Sequence, residues 1–295
     1  PTYDDVVAAH ERIAPHIHRT PVLTSTYFNE RTGAELFFKC ENFQKAGAFK
    51  VRGGLVYLDR LVRERPAVTG VISATRGNHG QSLAFAARAH GRTATIYVPH
   101  GNSVEKNAAM RALGAEVVEH GDDFQDAREE AERAANERGL ELVPPFHRDL
   151  VVGVATYAAE LFAAADPLDT VYVPVGMGSG INALVAVRDL LGLDTEIVGV
   201  VTTGAPATLL SFERGAVVAT DAAATFVDGV ATRTPDPTAI AGVLAGASRI
   251  VAVSDDSVAE AMRIVFRATH NVAESAGAIA LAGLLAEPVE RRGAR

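Results

Sequence analysis

Cysteine is nearly missing from this chain of 295 residues: Cys40 is the only one. That excludes an intrachain disulfide and is consistent with a reducing compartment. Cys40 follows Glu35-Leu36-Phe37-Phe38-Lys39, which reads as a buried strand, so a packed and inert thiol is expected. No apolar run reaches the roughly 18 residues that a membrane-crossing helix needs. The opening Pro1-Thr2-Tyr3-Asp4-Asp5 lacks the charged-then-apolar plan of a secretion signal, and cytoplasm is the expected location. Positive charge is in short supply: 28 Lys and Arg stand against 36 Asp and Glu, a net charge of −8. With no basic run beyond Arg291-Arg292, a nucleic-acid phosphate grip is not expected.

What is present is ordinary for a globular protein, 48% hydrophobic and 22% charged, with the length of one large domain or two smaller ones. Val71-Ile72-Ser73, Ala94 to Val98, Glu116-Val117-Val118, Thr170 to Val173 and Glu196 to Val201 are short apolar, β-branched runs of the kind that form buried strands. Helical stretches lie between them. Gln81 to His90 reads as a helix stopping at Gly91. Asn102-Ser103-Val104-Glu105 reads as a capping box ahead of a helix over Lys106 to Leu113. Asp122 to Arg138 reads as a charged, Ala-rich helix, and Ser254-Asp255-Asp256 as the start of one running toward His270. The acidic cluster from Glu119 to Glu132 reads as a solvated helix face. This alternation predicts an α/β fold, a mostly parallel sheet with helices on both faces. The units between about Gly70 and Arg148 are expected to form a small domain (70–147), with 1–69 and 148–295 in a larger one.

Three segments carry chemistry. Lys50 lies in Asn42-Phe43-Gln44-Lys45-Ala46-Gly47-Ala48-Phe49-Lys50-Val51-Arg52-Gly53, behind a small, aromatic-flanked turn suited to forming and protecting a Schiff base. Thr75-Arg76-Gly77-Asn78-His79 is a strand-to-helix turn at the carboxyl edge of a parallel sheet, where ligands collect. Its free N–H groups suit a carboxylate. His79 reads as a structural donor or a catalyst, and Arg76 as an exposed or paired charge or as an anion clamp. Gly176-Met177-Gly178-Ser179-Gly180 joins a strand to the helix from Ile181 to Leu191. It reads as a phosphate cradle or simply as a tight turn. It has neither the Walker A pattern nor the Gly-x-Gly-x-x-Gly spacing. An amine, a polar turn and a glycine-rich cradle, in that order, point to an enzyme with a phosphorylated carbonyl cofactor.

Together these motifs resemble the fold-type II pyridoxal-phosphate enzymes, in particular the serine/threonine dehydratases (ammonia-lyases) and serine racemases, from about residue 5 to 285. The resemblance implies two open, mostly parallel sheets flanked by helices, with pyridoxal 5'-phosphate between the lobes, and a homodimer acting on a small amino-acid substrate. Lys50 would hold the cofactor and serve as base at Cα. Phe49 would pack near the ring and Asn78 would bond its hydroxyl. Gly176, Met177, Gly178 and Ser179 would bind the phosphate, where relatives usually have four glycines. Thr75, Arg76, Gly77, Asn78 and His79 would bind the substrate carboxylate. Glu274 matches an acid near the pyridine edge, with a helix-start carboxylate as the rival reading.

The implied reaction is elimination of water from a β-hydroxy amino acid, threonine or serine by default, giving a 2-oxo acid and ammonia. Amino-acid racemization, β-replacement and a non-catalytic cofactor-binding role are the alternatives. Arg76 stands where racemizing relatives carry a serine acid/base, and a guanidinium is a poor base. It raises the prospect of a substrate with a second anionic group. Thr202-Thr203-Gly204-Ala205-Pro206 carries no acid where cation-binding relatives do, so no metal is expected. The relatives' pyridine-nitrogen partner lies past the position of Arg295, and the C-terminal regulatory domain of biosynthetic threonine dehydratases is not expected.

Overall fold

The structure is a computed structural model that describes residues 1–165 and 167–295. Its strands are β1 (Val22–Leu23), β2 (Phe38–Lys39), β3 (Gly70–Ala74), β4 (Thr93–Val98), β5 (Glu116–Glu119), β6 (Glu141–Leu142), β7 (Thr170–Pro174), β8 (Glu196–Thr202) and β9 (Arg249–Val253). The chain divides into two compact units. One comprises residues 1–3, 19–42 and 157–295, and the other 4–18 and 43–156.

The second unit is built on a parallel sheet of order β5-β4-β3-β6. Side chains alternate across such a sheet, and here both faces are covered. Val71, Ala94, Ile96 and Val98 face a core shared with Val51, Leu55, Leu58, Leu83, Ala87 and Met110, from the helices Lys50–Glu64, Asn78–Ala89 and Val104–Ala112. Ile72 and Tyr97 face the opposite way, against Ala127, Ala131, Ala134 and Ala135 of the helix Phe124–Arg138. Burial on both faces explains why apolar Val71 and Ile72 stand side by side in β3 and all five of its residues are buried. The alanine stripe at helical spacing lets that helix lie close to the sheet.

Two glycine contacts fix the Lys50 helix against its neighbours. A Cβ on Gly53 would lie 2.7 Å from the Leu150 carbonyl oxygen, and one on Gly153 would lie 2.3 Å from that of Arg52. The helices Lys50–Glu64 and Arg148–Ala165 thus touch backbone to backbone at a point where no side chain fits. Beside this contact Arg52 is fully buried, its guanidinium donating to Thr156 Oγ1 at 3.1 Å and to the His18 carbonyl at 3.3 Å.

The first unit holds a parallel sheet of order β7-β8-β9. Val200 and Val253 pack with Val258, Ala261, Ile264, Ile279 and Ala282 from the helices Asp255–Thr269 and Ser275–Ala286. On β8, Gly199 is packed by Ile250, Val175 and Ile181, which brings the helix Ser179–Leu191 close to the strand. Antiparallel β1 and β2 form a separate ribbon.

Two local expectations are corrected. The strand expected over residues 35–39 is only Phe38–Lys39, and neither residue is fully buried. Upstream, the Leu36 N–H bonds Asn29 Oδ1 and the Glu35 N–H bonds the Ala294 carbonyl, so neither is spent on strand pairing. The capping box at Asn102–Glu105 does not form. Ser103 is the N-cap, its Oγ accepting from the Lys106 N–H at 3.2 Å, and it donates to Glu105 one residue short of the box position. A true capping box, Asp123 with Asp126, opens the helix Phe124–Arg138 instead.

Candidate functional site

In the second unit Lys50 is the first residue of its helix, at the positive end of the helix dipole. The chain leading to it is pinned. Gln44 trades two 2.8 Å hydrogen bonds with the His18 backbone, and the Gly47 N–H closes a turn on the Gln44 carbonyl at 2.7 Å. Gly47 has φ +66°, a left-handed conformation that glycine adopts freely. Lys50 Nζ lies 5.3 Å from the centroid of the Phe49 ring. Ser82 Oγ donates to the Lys50 carbonyl at 2.6 Å. It can do so because Gly54 has no side chain: a Cβ there would lie 2.3 Å from that hydroxyl.

The polar turn follows β3 directly. The Thr75 N–H bonds the Tyr97 carbonyl at 3.0 Å, and the Gly77 N–H bonds Thr75 Oγ1 at 3.1 Å. Asn78 then opens the helix Asn78–Ala89, whose N-cap is Gly77 and whose first turn has no side-chain cap. Uncapped first-turn N–H groups at the positive end of a helix attract anions. Arg76 is exposed, and its guanidinium forms no ion pair among the described residues. The Lys106 side chain lies against the turn: a Cβ on Gly77 would meet its Cδ at 2.7 Å and its Nζ at 3.4 Å.

His79 faces inward. Its ring donates to the Val143 carbonyl, which Ser73 Oγ also contacts at 2.8 Å. Nε2 is buried with no partner among the described residues. Burial, with the charge of Lys50 as a second cause, pushes its pKa down to about 3. His79 is therefore neutral near pH 7, with a bare acceptor lone pair on Nε2.

In the first unit, β7 leads into Gly176-Met177-Gly178-Ser179 and the helix Ser179–Leu191, whose N-cap Gly178 has φ +92° and no side-chain cap. A Cβ on Gly176 would lie 2.3 Å from the Gly229 carbonyl oxygen, and one on Gly178 would lie 3.0 Å from Ala239 Cβ. The turn has no room for side chains at either position. Asn182 Nδ2 ties the turn down, donating to the Gly178 carbonyl at 2.9 Å and the Ala239 carbonyl at 3.1 Å. Met177 is held by Thr232, whose hydroxyl lies 3.8 Å from Sδ. Gly229 abuts Ala276, which places the start of the helix Ser275–Ala286 by the same turn. Glu274 is the N-cap of that helix but is exposed and makes no side-chain cap bond.

The expected residues thus fall into two groups. Lys50, Phe49 and Thr75 to His79 lie in the second unit, and Gly176 to Ser179 and Glu274 in the first. Ser82, Lys106, Asn182 and Thr232 went unread in the sequence. Each acts through a contact with a residue at least 29 positions away, and only a glycine at the partner position hinted at two of them. Among the described residues no group of three or more His, Cys, Asp or Glu side chains is placed to hold a metal ion.

Residues 13–294 match the family described as "Pyridoxal-phosphate dependent enzyme". The chain is 36% identical over 296 residues to the beta-hydroxyaspartate dehydratase of Paracoccus denitrificans, covering 100% of this chain and 93% of that protein. It is 34% identical over 284 residues to the L-threonine ammonia-lyase of Geobacter sulfurreducens, covering 96% and 70% respectively. Among solved structures it matches maize serine racemase with a TM-score of 0.93 at 28% identity, covering 98% of this chain and 88% of the other.

Proposed function

This chain belongs to the pyridoxal-phosphate-dependent enzymes, and from that premise we propose that it acts as an ammonia-lyase on a β-hydroxy amino acid, releasing a 2-oxo acid. The coarse class is firm: it is a pyridoxal-phosphate-dependent lyase of the dehydratase and ammonia-lyase family. The residues present suit the cofactor. An amine opens the Lys50 helix beside an aromatic ring, and the Gly176–Ser179 turn is a cradle that a Cβ would fill, at an uncapped helix start.

Lys50 Nζ would hold the cofactor covalently, with Phe49 beside its ring, Asn78 on its hydroxyl and Glu274 by its pyridine edge. The N–H groups of Gly176 to Ser179 would take its phosphate. When bound, the cofactor supplies an electron sink for the charge that develops at the substrate Cα. The Thr75–His79 turn binds the α-carboxylate through backbone N–H groups and orients Cα toward Lys50. Lys50 Nζ takes the Cα proton, and the β-hydroxyl departs as water. A second water then displaces ammonia, so that one amino acid yields one 2-oxo acid and one ammonia.

His79 donates no proton near pH 7 and serves to hold the turn against Val143. Racemization would need a second acid/base at Cα. Arg76 would stand at that place in the turn, and a guanidinium is a poor base. The observation that carries the reading is the pairing of Lys50 with an uncapped, acid-free turn in one compact unit. The test is a panel of serine, threonine and 3-hydroxyaspartate, assayed for 2-oxo acid and ammonia. Release of neither from any member would remove the reading, and inversion at Cα without ammonia would replace it with racemization.

A further inference from the structure

His79 has one ring nitrogen that the fold uses and one that it does not. The Val143 carbonyl can only accept, and Nε2 is the nitrogen without a partner among the described residues, so Nδ1 carries the proton and donates to Val143. The neutral ring then presents a lone pair at Nε2, shut away from solvent. Native folds rarely leave a buried acceptor bare, because it gives up its hydration and gains nothing in return. Two hydroxyls of the same region are already spent. Ser73 Oγ donates to the Val143 carbonyl at 2.8 Å, and Ser82 Oγ to the Lys50 carbonyl at 2.6 Å.

Ser82 also shows what this side of the helix faces. It stands one turn after His79 on the helix Asn78–Ala89, on the same side. Its bond to the Lys50 carbonyl and its close fit against Gly54 hold that side to the start of the Lys50 helix. Lys50 is also the charged side chain whose field acts on the His79 ring. Its amine rides on a flexible four-carbon stem, and Lys50, His79, Ser82 and Val143 all belong to one compact unit.

We infer that His79 is a positioning residue for the base: once the Lys50 amine is free and has taken the Cα proton, Nε2 accepts a hydrogen bond from the Nζ ammonium and holds it beside the polar turn. This rests on the lyase reading above, in which Lys50 is the base, and deepens it. A hydrogen bond made to the charged form of the amine favours that form. The depressed pKa of His79 suits the ring to accept without competing: near pH 7 it takes no proton, so the proton stays on Nζ. No covalent bond changes in this step, and the contact ends when Nζ gives its proton up.

Two substitutions separate this role from the Val143 contact. An asparagine amide takes the place of Nδ1, and a glutamine amide, one methylene further out, takes the place of Nε2. His79→Asn therefore keeps a donor to Val143 and loses the acceptor, whereas His79→Gln offers a carbonyl oxygen where the lone pair stood. Holoenzyme is assayed for kcat and KM on whichever of serine, threonine and 3-hydroxyaspartate it turns over fastest. His79→Asn should lower kcat roughly 10- to 100-fold, the span of one hydrogen bond to a charged group, with KM little changed. His79→Gln should restore most of that loss. Wild-type kcat in His79→Asn, or a His79→Gln enzyme as slow as His79→Asn, would overturn the assignment.

A second measurement does without turnover. Holoenzyme carrying 15N-labelled histidine is titrated with glycine, whose amine frees Lys50 from the cofactor but which has no β-hydroxyl to lose. The Nε2 resonance of His79, identified by its absence in His79→Gln, should move upfield as the lone pair takes a hydrogen bond. Acetate, a carboxylate with no amine, should leave it in place. A resonance that glycine does not move sinks the inference. One that moves while no amino acid yields ammonia keeps the link between His79 and Lys50 and removes the reaction assignment.

Discussion

Ser82 Oγ reaches from one helix to the backbone carbonyl of Lys50 on another, at 2.6 Å. The contact ties the backbone of Lys50 to the helix that follows the polar turn. Ser82 is buried, so Ser82→Ala leaves that carbonyl without this donor. The expected cost is about 1 kcal/mol in stability, read from urea unfolding, together with weaker cofactor retention on dialysis. A stable variant that keeps its cofactor as well as wild type would show that the contact does not position Lys50.

Lys50→Ala should lose the long-wavelength cofactor absorbance and all turnover while its far-ultraviolet circular dichroism stays unchanged. Hydride reduction of wild-type holoenzyme, followed by peptide mapping, should label the peptide containing Lys50. A label on another lysine would refute the assignment of the amine.

The depressed pKa of His79 makes a pH prediction. In the unfolded chain this imidazole binds a proton near pH 6.5, and in the folded chain only near pH 3. Between those values the unfolded state holds the extra proton, so stability falls as pH is lowered from about 6.5 to about 3 and this contribution changes no further below that. The slope approaches about 1.4 kcal/mol per pH unit inside the window. His79→Gln should flatten that part of the urea-midpoint profile. An unchanged profile would mean that His79 is not held neutral by burial.

Gly178 has φ +92°, and alanine there should cost roughly 1–2 kcal/mol from backbone conformation alone. Gly176→Ala should be worse for binding, because its Cβ would run into the Gly229 carbonyl and move the turn. Both variants should show raised cofactor dissociation constants in fluorescence titration, with Gly176→Ala the weaker binder. Wild-type affinity in Gly176→Ala would disprove the phosphate role of the turn.

Cys40 is buried, and its thiol pKa is pushed up to about 11, chiefly by that burial. At pH 8 the folded protein should react with a disulfide reagent far more slowly than the unfolded chain. Comparable rates would contradict the packing.

Much of the architecture was legible because both faces of each sheet are buried. β3, β4, β5, β7 and β8 appear where the short runs rich in β-branched residues stand, and the helix ends at Gly91 and Gly139 fall where left-handed glycines allow. β9 carries the same signal in Ile250-Val251-Ala252-Val253, but the small-residue stretch before it blurs its start. β6 is only two residues long, too short to announce itself by periodicity. At the candidate site, Lys50 and the Thr75–His79 turn were chosen by residue type and turn pattern, and the structure sets them in one compact unit. Their supports were not legible, because a serine that reaches a carbonyl 32 positions away, or a lysine draped over a glycine, is defined only once the helices have packed.

The paired glycines at 53 and 153 leave no clearance between two backbones. A helix seated on such a pivot cannot creep along its own axis, since the next residue to arrive would bring a side chain into space that is already full. The height of the amine at its upper end is therefore gauged by two missing methyl groups, set well back from any chemistry.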